Sequence, residues 1–155
     1  MAKKFVRQKE KPSKKKAKQK ESISPKQART IVDPREYLNK NPVWRFRRID
    51  HTHQRWNFNN CSDMGATLKK LADFESMTWN DIQVNAKKQN HFISVSDMIK
   101  EAGQRLEQLG IVEDELFSLR VNGKMRIFGI LRTGEFEILW LDCNHEICPS
   151  KKKHT

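Results

Sequence analysis

A chain of 155 residues with 36% apolar and 32% charged side chains has the length of one domain, and no apolar run approaches the roughly 20 residues that span a bilayer. The formal charge of +12 sits at the ends. Residues 1–30 hold 12 Lys/Arg against Glu10 and Glu21, residues 151–155 add three lysines, and residues 31–150 carry 16 basic and 17 acidic side chains. That distribution excludes a uniformly basic nucleic-acid binder, so a specific site must be a local cluster on a near-neutral domain.

Residues 1–30 are rich in Lys, Gln, Glu, Ser and Pro. Such a segment cannot bury enough surface to offset its ordering entropy, and it reads as a disordered basic arm. Laid on nucleic acid, the arm would strengthen binding without sequence choice; otherwise it is a solvated tail. Residues 31–150 read as a single α+β domain, and 151–155 as a basic tail with Lys151, Lys152 and Lys153. Three cysteines, Cys61, Cys143 and Cys148, give no disulfide framework and fit a reducing compartment. No apolar segment follows the basic start, so no secretory signal is expected and the location is read as cytoplasmic, without membrane.

Order is expected from Ile31. Asp33 and Pro34 suit a helix start that ends by Pro42. Residues 43–49 read as a strand with Trp44 and Phe46 on one face and Arg45 and Arg47 on the other. Residues 50–55 form a loop, and Trp56-Asn57-Phe58 a short strand. Three helices are predicted next. The first is capped by Ser62, with Leu68, Leu71 and Phe74 on one stripe. The second opens on a capping box from Thr78 to Asp81 and runs to about Gln89. The third is capped by Ser96, carries Met98, Ile99, Ala102, Leu106 and Leu109, and stops at Gly110.

The end of the domain predicts an antiparallel β-meander over 115–121, 125–131 and 136–142, with turns at Asn122-Gly123 and Thr133-Gly134. Pairing apolar with apolar selects a three-residue first loop, Asn122-Gly123-Lys124, which sets Val121 against Met125, Leu119 against Ile127 and Arg120 against Arg126. A two-residue second loop sets Leu131 against Phe136, Gly129 against Ile138 and Ile127 against Trp140. One face, with Phe117, Leu119, Val121, Met125, Ile127, Leu131, Phe136, Ile138 and Trp140, should pack on the helices. The other holds Ser118, Arg120, Lys124, Arg126, Phe128, Ile130, Glu137, Leu139 and Leu141, with His145 near the first turn. Its apolar part needs cover from another segment or a partner chain. Two facing arginines repel, and a bound anion reverses the sign. The alternative is that Glu137, Glu146 or Asp142 neutralises them.

Cys143-x-His145-x-x-Cys148 and His51-x-His53 raise a zinc reading, but the spacings are not the usual ones. Small core-edge cysteines and a polar loop are the plainer readings, and no cofactor is expected. Of the four tryptophans, Trp56 is the best candidate for exposure, because Arg55 and Asn57 flank it.

The order strand, helices, three-stranded meander resembles the RelE/ParE superfamily of bacterial toxins over about residues 43–150. The residues that carry the likeness are Arg120 in Ser118-Leu119-Arg120-Val121, Arg126 in Lys124-Met125-Arg126-Ile127, and His145 in Asp142-Cys143-Asn144-His145-Glu146. The resemblance implies an endoribonuclease acting on mRNA or at the ribosome, with an antitoxin partner. Arg120 and Arg126 would stabilise charge on the phosphate, and His145 would act as acid or base. Lys124 and the tail lysines would add nucleic-acid contacts. The family pattern has one helix fewer, no long basic arm, and often a Tyr near the last strand, where this chain has none; its single tyrosine is Tyr37. A binding module that holds RNA or DNA without cutting it, and an interaction domain that uses the second sheet face, remain alternatives.

Overall fold

The computed structural model describes residues 33–150; the basic arm and the lysines 151–153 lie outside the described residues. Seven elements build the domain: β1 (Val43–Arg45), α1 (Met64–Glu75), β2 (His91–Ser94), α2 (Lys100–Gln108), β3 (Glu115–Arg120), β4 (Arg126–Arg132) and β5 (Glu135–Asp142). Short 3₁₀ turns and a π-helical turn over Asn80–Asn85 connect them. The sheet is mixed, in the order β1-β5-β4-β3-β2. β1 runs parallel to β5, and the other neighbours are antiparallel. No helix among the described residues is long and apolar enough to cross a membrane.

The meander forms as its pattern predicts at both turns. Val121 N–H donates to Met125 O at 3.0 Å, Leu119 pairs with Ile127, and Arg120 with Arg126. At the second turn Leu131 pairs with Phe136, and Thr133 and Gly134 both have positive φ, 49° and 89°. Two left-handed residues make the type I′ hairpin, whose twist suits the flanking strands. A β-branched residue at the first of them is strained by roughly 1–2 kcal/mol. Thr133→Asn is therefore expected to stabilise the domain by about 1 kcal/mol, because Asn visits this region at lower cost. Urea unfolding checks this, and a lower midpoint for the variant would refute it.

Register departs from strict alternation in one place. A bulge at Leu139 on β5, opposite the Phe128–Gly129 step of β4, sets Ile127 against Leu141 and Phe128 against Trp140. Trp140 therefore leaves the face predicted for it and Leu141 takes its place. Both faces of the sheet are covered, rather than one. The first packs on α1 and the π-helical turn through Leu71, Phe74, Trp79 and Ile82. The second packs on α2 and the 50–57 loop through Trp56, Met98, Ala102 and Leu106, with Ile147 beside them. Phe128, Ile130 and Leu139 are buried there, so this apolar patch is covered by the chain's own segments.

Local signals were partly displaced. Thr78 and Asp81 do form a reciprocal box: Thr78 N–H donates to Asp81 Oδ2 at 3.0 Å, and Asp81 N–H to Thr78 Oγ1 at 3.3 Å. Asp63, not Ser62, caps α1, accepting from Ala66 N–H at 3.0 Å. Ser96 sits in a 3₁₀ turn, and α2 starts after Ile99. Leu68 is exposed, while Leu71 and Phe74 are buried. Gly110, with φ 67°, ends α2 as expected. The strand at 43–49 stops at Arg45, where a turn from Phe46 to Ile49 begins and leaves Phe46 half exposed. Trp56 is fully buried in a loop rather than exposed on a strand.

Candidate nucleic-acid interface

Arg120 and Arg126 face each other across β3 and β4. Arg126 Nη1 donates to the carbonyls of Asn122, Gly123 and Met125, each at 3.0 Å, so the guanidinium is pinned over the turn that precedes it. Its Nε and Nη2 make no hydrogen bond to the described residues. Burial lowers the Arg126 pKa and the Arg120 charge adds to that, while Asp142 partly opposes both. The guanidinium stays cationic at any ordinary pH, so the lowering marks a positive charge that its surroundings under-compensate. An anion at this point would relieve it.

Asp142 pairs in register with Arg126, but its oxygens serve another purpose. Oδ1 accepts from Asn144 N–H at 3.3 Å and Glu146 N–H at 3.0 Å, and Oδ2 from Ile147 N–H at 2.8 Å. These bonds fold the chain after β5 into a tight loop in which His145 has φ 60°. Ile147 then buries in the second core, and its carbonyl accepts from Ile99 N–H at 2.9 Å. Glu146 pairs with Arg55 at 3.2 Å, and Arg55 also pairs with Glu101 on α2. His145 thus occupies a left-handed backbone position fixed by the bonds of its neighbours, as residues at functional sites often do. Its Nδ1 is buried with no hydrogen bond, and Nε2 lies 3.5 Å from Ser150 Oγ.

Arg126 and His145 line a common groove of about 580 Å³, together with Lys88, His91, Ser118 and Ser150. Asp97 and Glu115 line it as well. In the β2–β3 ladder Glu115 is level with Ser94, at the opposite end from His91, so the groove carries both signs of charge. Its volume lies in the range of small-molecule sites. Arg120 and Lys124 are not on its wall; Lys124 is exposed on the turn and Arg120 half-buried beside it. Of the residues singled out from the sequence, the fold therefore gathers Arg126 and His145, leaves Arg120 and Lys124 at the rim, and leaves Lys151, Lys152 and Lys153 outside the described residues.

No known protein family, curated protein or solved structure matches this chain.

His91 escapes the sequence because no element is predicted between Gln89 and Ser96. Strand β2 has only four residues and one partner strand, and so short a run shows no clear period. Asn90 is also unsignalled. It is buried, donates to Ile82 O at 3.2 Å and accepts from Arg120 N–H at 2.9 Å, which ties the π-helical turn to β3 beside the arginine pair.

The Cys/His candidates do not converge. Among the described residues no three His, Cys, Asp or Glu side chains are placed to hold a metal ion. His53 lies flat on Trp56, with ring centroids 4.0 Å apart, and its Nδ1 accepts from the Trp56 and Arg55 amides. That leaves the Nε2 proton to face Glu101 at 3.3 Å. His51 is exposed. Burial, with the Cys61 thiol beside it, pushes the Cys143 thiol up to about 12, the mark of an inert core-edge cysteine.

Proposed function

We propose that this chain is a RelE-like RNA-targeting protein: it holds the phosphate backbone of RNA in the Arg126–His145 groove and cleaves it there as an endoribonuclease that needs no metal ion. The observation that carries this reading is the groove itself, which a half-buried guanidinium and an imidazole line together. Arg126 is fixed through Nη1, so Nε and Nη2 are already aimed when the phosphate arrives, and no reorganisation is needed as charge develops. Arg120 and Lys124 extend the cationic strip along the first turn and would hold the neighbouring phosphate. The basic arm adds affinity without sequence choice. An antitoxin protein is the partner that the family likeness implies, and mRNA, free or at the ribosome, the substrate.

A second reading is a non-catalytic RNA- or DNA-binding module. It is favoured by the position of Arg120 and Lys124, which can grip phosphate outside the groove without any acid or base.

The test begins with the full chain and single-stranded RNA. Arg126→Ala is expected to weaken binding by about tenfold or more, the worth of a charge-assisted contact. Arg126→Lys should lose less, and the melting temperatures of both variants control for the carbonyl contacts that Nη1 makes. Expressed in bacteria, the wild type should arrest growth and fragment mRNA, and His145→Ala should do neither. Equal growth with intact RNA in both strains leaves only the binding reading. Equal RNA affinity in wild type and Arg126→Ala removes the groove reading, and equal affinity in an Arg120→Ala, Lys124→Ala variant as well removes the binding module.

A further inference from the structure

The groove contains a second imidazole. His91 stands opposite Ser118 in the β2–β3 ladder, and residues level with each other in a ladder point to the same face. Ser118 is two residues from Arg120, which is level with Arg126, so His91, Ser118, Arg120 and Arg126 all belong to one face. In the strand order, β2 carries His91, β4 carries Arg126, and the loop after β5 brings in His145. The guanidinium and both imidazoles therefore line one groove. Two strand spacings, about 10 Å, separate the backbones of β2 and β4. That leaves room for a phosphate between the His91 ring and Arg126.

We propose that His91 and His145 are the acid–base pair that cleaves an RNA phosphodiester held by Arg126; this rests on the RNA-targeting reading and assigns its chemistry. The 2′-oxygen of the substrate attacks the adjacent phosphorus and gives its proton to one imidazole. The bond from phosphorus to the 5′-oxygen breaks, and the other imidazole, protonated at the start, gives its proton to that oxygen. The products are a 2′,3′-cyclic phosphate and a free 5′-hydroxyl, with no oxidant, reductant or water consumed. Arg126 meets the charge that builds on the non-bridging oxygens. At His145 the working atom is Nε2, because Nδ1 is buried. The other charged or titratable groups on the groove are Lys88 before β2, Asp97 after it, Glu115 on β3, Arg126 on β4 and Cys148 in the carboxy-terminal loop.

The experiment measures cleavage of a short oligoribonucleotide by the full chain in EDTA, across pH, for wild type, His91→Ala and His145→Ala. The wild type should give a bell-shaped rate profile and the two stated ends. Each variant should lose about 10²- to 10⁴-fold in kcat with RNA affinity kept within twofold, and each should lose one limb of the bell. A substrate with sulfur in place of the 5′-oxygen needs no proton at the leaving group, so it should rescue one variant, the acid, and not the other. Cleavage by His91→Ala at the wild-type rate, or a bell that keeps both limbs in that variant, would overturn the proposal and leave the RNA-targeting reading intact. A wild type that binds RNA through Arg126 without cutting it would also overturn it. Loss of RNA binding altogether belongs to the earlier reading, and Arg126→Ala reports that separately.

Discussion

Asp50→Ala is expected to lower the unfolding free energy by about 3–5 kcal/mol, the cost of leaving one partner of a buried ion pair alone. Domains of this size hold only about 5–15 kcal/mol in total, so the variant should be marginal at best. Asp50 is buried and accepts from Arg105 Nε at 2.7 Å and Nη2 at 2.8 Å, a two-pronged pair. Its carboxylate also accepts from Trp140 Nε1 at 3.1 Å and from the Thr52 and His53 amides at 3.2 Å. Removing it strands the buried indole N–H and takes both carboxylate oxygens from the Arg105 guanidinium. It also frees the loop that carries Trp56 into the second core. Thr52 Oγ1, at 2.6 Å from Arg105 Nη2, compensates only in part. Urea unfolding of Asp50→Ala, Arg105→Ala and the double variant should give a coupling energy of about 2 kcal/mol or more. Additive losses would mean that the pair is incidental.

The same carboxyl sets a pH dependence. Burial alone would raise its pKa, but hydrogen bonds from Arg105, Trp140 and the Thr52 amide outweigh burial and hold it well below the ordinary value of 3.8. The folded state then releases this proton more readily than the unfolded state. Its stabilising effect is complete above pH 3.8 and drains away as pH falls from there towards the folded value. Arg45 also holds the Glu135 carboxyl below its ordinary value, so the acid response of the wild type does not isolate Asp50. The useful quantity is therefore the difference between wild type and Asp50→Asn. That gap should close as the solution is acidified, and a gap that stays constant would remove Asp50 from the account.

Gly129→Ala is expected to cost about 3 kcal/mol, towards the upper end for overpacking a tight core. Propensity argues the other way, since Gly within a strand is worse than Ala by roughly 0.5–1 kcal/mol. The geometry decides between them. A Cβ on Gly129 would lie 2.3 Å from the Glu137 carbonyl oxygen and 2.8 and 2.9 Å from ring atoms of Phe136. Backbone cannot yield that distance without moving β5 off β4, and Phe136 is packed against Trp44 and Trp79. Thermal unfolding should show a loss of about 10 °C. An unchanged melting temperature would mean that the strands part here at little cost.

Much of the meander was legible because its rules are local. A two-residue Thr133-Gly134 hairpin and a three-residue loop at Asn122 each leave one register in which apolar residues meet, and both occur. Trp140 shows where that logic ends. Strict alternation assigns it to the first face, but the bulge turns it to the second, where its indole N–H donates to Asp50. No short pattern marks an acceptor 90 residues away. The candidate site divides in the same way. Arg120 facing Arg126 follows from the turn length alone. The company of His91, and the loop that Asp142 builds around His145, depend on an edge strand of four residues and on backbone amides that carry no sequence signal.

What the sequence by itself determined was the α+β class, the three meander strands, the facing arginines, the stop at Gly110 and the capping box at Thr78. Each depends on residues a few positions apart, where backbone preference and the two-residue period act directly. Tertiary structure alone decided that α2 covers the second face, that β1 joins the sheet parallel to β5, that Asp50 meets Arg105, and that two histidines and Arg126 line one groove. The physical reason is that both faces of this sheet are apolar. A local pattern can state that a face must be covered, but only the packing of the whole chain selects which segment covers it, and with that which polar side chains are brought together.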